Sequence, residues 1–80
     1  MAVIKIISQG ANMSAEKSYL ITEVVGTSKD SIESAIQGAI ADAYKKIKHI
    51  RWFEVVETRG HVKDGKIQYF QVTIKLGFSE

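Results

Sequence analysis

Between Lys66 and Phe78 the apolar residues Phe70, Val72, Ile74, Leu76 and Phe78 occupy every second position. Strand side chains alternate between two faces, so this spacing predicts a strand with those five on its buried side. Ile67, Tyr69, Gln71, Thr73 and Lys75 take the other side. Earlier in the chain the period changes. Ile32, Ala35, Ile36, Ile40, Ala43, Tyr44 and Ile47 recur at three- and four-residue steps, the stripe of an amphipathic helix. Gly26-Thr27-Ser28 precedes it, with Thr27 or Ser28 expected as the cap and Thr27 to Asp30 resembling a capping box. Lys45, Lys46, Lys48 and His49 gather at its far end, where the helix dipole favours cations and a solvated end explains them. Tyr19–Val25 is rich in β-formers and reads as a first strand. A second runs from about Arg51 to Val62, and Lys63-Asp64-Gly65-Lys66 is the turn of a hairpin. The order is β-α-β-β. The expected fold is α+β: a three-stranded antiparallel sheet, its third strand central, wrapped against one helix, with a right-handed first crossover.

Residues 1–16 differ from the rest. Ala2 to Ile7 has the composition of a short edge strand, which Ser8-Gln9-Gly10-Ala11-Asn12 ends. Met13-Ser14-Ala15-Glu16-Lys17 itself resembles a protein start. The segment reads as an N-terminal extension, either appended or a mis-assigned start, before a domain over 17–80. Its apolar stretch is short and broken by Lys5, unlike a signal peptide.

The second strand carries the chain's one tryptophan. Strict alternation puts Phe53 and Val55 on one side, and Trp52, Glu54 and Thr58 on the other. With Phe53 and Val55 against the core, Trp52 lies on a face the subunit leaves open. A large indole there calls for a partner, either another subunit or a planar ligand. Subunit packing alone would account for it. The rest of the open face is Thr58, Tyr69, Gln71, Thr73 and Lys75. A flat stacking surface beside the paired donor and acceptor of Gln71 suits a planar heteroaromatic such as a flavin, pterin or nucleobase. Arg59 and His61 offer positive charge to a phosphate. Alternation places both with Phe53, so they would reach a ligand of the open face only past the strand end or across a subunit boundary.

Composition narrows the classes. Eighty residues allow one domain with a small core, which assembly would stabilise. The chain is 45% apolar and has no cysteine, which excludes disulfides and thiolate chemistry and fits a cytoplasmic setting. A formal charge of +2 is too weak to imply nucleic acid, and no apolar run is long enough to span a bilayer. Neither a nucleic-acid nor a membrane partner is therefore expected. Catalytic chemistry is sparse. His49 and His61 lack metal-ligand spacing, and Gly60 and Gly65 are isolated turn glycines rather than a phosphate loop. Glu54 and Glu57 fall on opposite faces under strict alternation and cannot act as a pair. The reading is a binding module without catalytic or metal-ligating residues. A flavin-dependent enzyme built on His61, Tyr69 or Glu54 is a weaker alternative. So is a cage that collects cations at Glu23, Asp30 or Glu57.

Val25-Gly26-Thr27-Ser28, then Arg51-Trp52-Phe53-Glu54-Val55-Val56-Glu57-Thr58-Arg59-Gly60-His61, then Tyr69-Phe70-Gln71-Val72 and Leu76-Gly77-Phe78, resemble the dodecin family over residues 18–79. The resemblance implies a subunit of a hollow homododecamer that binds flavins in pairs at subunit interfaces. Trp52 matches the residue that sandwiches the stacked rings, Gln71 the one that bonds the ring edge, and Arg59 an arginine typical of FMN-binding bacterial members. Together with His61 and Thr73 from the reading of the strands, they make Trp52, Gln71, Arg59, His61 and Thr73 the expected cofactor-binding set. FMN is the expected cofactor, with riboflavin or FAD as alternatives and coenzyme A as a further ligand of some members. The implied role is flavin storage, buffering and photoprotection, not enzymatic. Two departures bear on phosphate and coenzyme A contacts: Leu20 and Ile21 stand where many members carry lysines, and Ser79 follows Phe78 where many carry a basic residue.

Overall fold

The computed structural model describes the backbone of residues 3–8 and both backbone and side chains of residues 18–79. In chain order the elements are β1 (Val3–Ser8), β2 (Leu20–Ser28), α1 (Ile32–Tyr44), β3 (Ile50–Lys63) and β4 (Lys66–Phe78). All pairings are antiparallel, in the order β1-β2-β4-β3. The expected three-stranded sheet is thus present with β4 between its neighbours. β1 adds an edge strand outside β2, pairing from Val3 opposite Val25 to Ser8 opposite Leu20.

β4 matches its sequence pattern. Val72, Ile74, Leu76 and Phe78 are buried, with Val24 beside them on β2. α1 covers this face through Ala35, Ala39 and Ala43, while Ile36, Ile40 and Ile50 pack at the margin. Three alanines on the buried stripe let the helix lie close. Gly26 completes the contact: a Cβ there would overlap the Ala35 carbonyl oxygen and stand 2.8 Å from Ala39 Cβ. The helix cap lies later than expected. Ser31 is the N-cap, its Oγ accepting from the Ser34 N–H at 3.0 Å. Ser28 ends β2 and accepts from the Asp30 N–H at 2.9 Å. A hydroxyl two residues from the amide it bonds makes a turn, and the helix begins only after it. At the other end, Lys45 pairs with Asp42 at 3.6 Å and Lys48 lies over the Tyr44 ring, both exposed, as a solvated helix end should be.

β3 departs most from expectation. Phe53 and Val55 are 48% and 44% exposed and do not belong to the subunit's core. A helix is about 10 Å across and strands lie about 4.8 Å apart, so one helix covers roughly two strands. α1 lies on β2 and β4, and residues 51–60 of β3 are exposed throughout. The β3–β4 hairpin closes through Asp64 and Gly65, both at positive φ (54° and 75°), the mirror-image turn that matches strand twist.

Candidate flavin-binding face

Ladder partners point to the same side of a sheet, so register fixes which β3 residues share a face. Val55 pairs with Ile74 and Glu57 with Thr73, which leaves Val56 as an extra residue, a β-bulge. Beyond it the alternation of β3 is inverted. Arg59 pairs with Gln71 and His61 with Tyr69, so both stand on the face of Trp52, Glu54 and Gln71, not with Phe53. Thr58 pairs with Val72 and belongs to the helix side. Glu57 moves to the open face and joins Glu54 there. The strict alternation assumed from sequence fails at these four positions for one reason, the unpaired Val56. A visible signal marks it, because Val55-Val56 interrupts the apolar-polar rhythm.

The open face is a set of rungs across β2, β4 and β3. The first is Ile21–Gly77–Trp52. Next come Glu23–Lys75–Glu54, Val25–Thr73–Glu57 and Thr27–Gln71–Arg59, and finally Tyr69–His61. Trp52 is 40% exposed, and its indole lies over Gly77: a Cβ on Gly77 would overlap the ring. Ile21, buried, continues the floor of that rung. The sequence reading passed over Gly77, whose missing side chain makes the seat for the indole. One side of the tryptophan is therefore supported by its own sheet while the ring remains accessible.

The second rung alternates in sign, Glu23–Lys75–Glu54, and keeps the middle of the face polar. Thr73 is half-buried in the third rung, between Val25 and Glu57. Hydrogen-bonding groups collect at the hairpin end. Gln71 Oε1 lies 3.3 Å from His61 Nε2. The His61 ring stacks on Tyr69 with centroids 4.3 Å apart and planes 16° apart. Arg59 is exposed beside them. A shallow groove of about 370 Å³, lined by Thr27, Ser28, Lys29 and Tyr69, opens at the same end. It lies away from the indole, so it is not the stacking surface.

All five residues expected to contact a cofactor, Trp52, Gln71, Arg59, His61 and Thr73, thus share one face, but they do not converge within one subunit. Gly77 and Gln71 are separated on β4 by roughly 20 Å at about 3.4 Å per residue. The indole of one subunit and the amide of the same subunit cannot touch one ring. Among the described residues there is no cluster of three or more acidic, histidine or cysteine side chains able to hold a metal, and no helix long and apolar enough to cross a membrane.

A single helix on an antiparallel sheet, with an outer strand left bare and a ring seated on the far face, defines a small α+β subunit with an accessible aromatic face. Residues 19–80 match the family model described as Dodecin. A curated dodecin of Thermus thermophilus is 44% identical over 62 residues, 78% of this chain and 90% of that one. Among solved structures, dodecin from Streptomyces davaonensis superposes with a TM-score of 0.78 at 41% identity, covering 82% of this chain and 97% of its own. Dodecin from Streptomyces coelicolor gives 0.78 and 41%, covering 85% and 96%. The chain belongs to the dodecin family, a family of small ligand-binding proteins that are in general not enzymes.

Proposed function

We propose that this dodecin is a flavin-binding protein, with FMN as its main ligand, and that it stores, buffers and photoprotects flavin in the cytoplasm as a homododecamer. The observation that carries this reading is the accessible indole of Trp52 seated on Gly77, on the same face as Gln71, Arg59 and His61. Two-fold contact between subunits sets residue i of each against residue j of the other, so every group enters the site twice. Two indoles then form the walls of a slot for a stacked pair of isoalloxazine rings. Each aromatic contact contributes about 0.5–1.5 kcal/mol beyond area burial. Amide and guanidinium donors delivered by adjoining subunits meet the ring edges and the phosphate.

Chemistry of the excited state favours protection over catalysis. An indole in contact with an excited flavin donates an electron to it, and the electron returns without net reaction. No acid–base pair stands beside Trp52 on its own rung, where Gly77, Ile21 and Ile7 follow it across the sheet. The test is titration of FMN fluorescence with protein. Strong quenching is expected from the native chain, and Trp52→Ala should remove most of it. Tight, quenched FMN binding by that variant would refute the stacking. Riboflavin run in parallel reports what the phosphate adds.

A further inference from the structure

Gln71 has two ways to face a ligand, and the structure selects one. Its carbonyl oxygen Oε1 is turned to His61 Nε2 at 3.3 Å. An oxygen of an amide only accepts, so His61 must donate from Nε2–H. The imidazole is held for that task by its stack on Tyr69, its ladder partner, at 4.3 Å and 16°. With Oε1 turned to His61, the amide N–H groups of Gln71 point away from it. Arg59, its ladder partner, is also a pure donor. Gln71 and Arg59 therefore both turn N–H donors to the hairpin end of the face, beside the hydroxyls of Thr27 and Tyr69.

We infer that His61 is a positioning residue: it fixes the Gln71 amide so that its N–H donors face the ligand, and thereby selects ring edges that carry carbonyl or other acceptor atoms. This rests on the flavin reading above, and it assigns His61 a role different from the phosphate contact expected from sequence. A heteroaromatic whose edge offers donors would meet Arg59 and the Gln71 N–H groups with like polarity and be rejected.

The test is a double-mutant cycle on the full-length protein, read as dissociation constants for FMN and for riboflavin. His61→Phe keeps a ring to stack on Tyr69 and removes the donor. His61→Gln retains an N–H donor and serves as the conservative rescue. Gln71→Leu removes the amide. If His61 acts through Gln71, His61→Phe weakens both flavins equally, by roughly three- to tenfold, the worth of one neutral hydrogen bond. The loss vanishes in the Gln71→Leu background, because the two residues then form one unit, and His61→Gln recovers part of it. A loss confined to FMN that persists in the Gln71→Leu background places His61 on the phosphate and overturns the inference, as does unchanged affinity in His61→Phe. Native protein that binds neither flavin would instead overturn the flavin reading, and this inference with it.

Discussion

At the scale of the residue, function here depends on a side chain that is absent. Gly77 leaves the space in which the Trp52 indole lies, and the indole is thereby held flat against the sheet with its remaining surface accessible. Gly77→Ala should lift the ring off its seat. The expected outcome is a large loss of flavin quenching, with the intact subunit fold followed by circular dichroism; quenching equal to that of the native chain would show that the seat does not orient the ring. Gly65 has a different role. At φ 75° it occupies backbone space that other residues adopt only with strain. Gly65→Ala should therefore destabilise the protein by about 1 kcal/mol, measured by denaturant unfolding, without altering flavin binding by the sheet face.

At the scale of the element, the periodicity of β4 and of α1 was legible because each has one buried side and, on β4 from Tyr69 to Phe78, unbroken alternation. Tyr69–Phe78 is read from alternation to the residue, whereas the register shift at Gln68 carries Ile67, expected on the open side, to the helix side opposite Val62. The hairpin turn was legible too, since Asp-Gly fits the mirror-image turn. β3 was not, for two physical reasons. Its apolar residues lie beyond the reach of α1 and stay exposed, and nothing in one chain's pattern distinguishes such a side from a core side. A single unpaired residue, Val56, also reverses every side chain beyond it. The bulge aims Arg59 and His61 onto the indole's face. Deleting Val56 should make the alternation unbroken, with Val55 still on the helix side and Glu57, Arg59 and His61 still on the indole's face. FMN should then keep its advantage over riboflavin while Trp52 still quenches both; loss of that advantage would show that the face alone does not bring these residues to the ligand.

At the scale of the molecule, what one subunit leaves uncovered defines what it must become. Phe53 and Val55, with Val62 and Ile67 at 69% and 62% exposure, form an apolar band on the helix side of the β3–β4 hairpin, beyond the reach of α1. Fully covering side chains of this kind is worth about 1.5–3 kcal/mol each, a substantial gain for a chain of 80 residues. Val55→Asp should accordingly leave the core of Val24, Val72, Ile74 and Leu76 in place but dismantle the assembly, seen as a fall in mass on size-exclusion chromatography. Because Trp52 and Gln71 of one subunit are too far apart to share a ring, such a variant should lose flavin binding together with its assembly. Native mass spectrometry of the full-length protein in FMN tests the central claim most directly, since it weighs shell and ligand together. A dodecamer carrying one flavin per subunit, filled in pairs, is the predicted result. A monomer that binds FMN on its own, or a closed dodecamer that takes up none, would contradict the account.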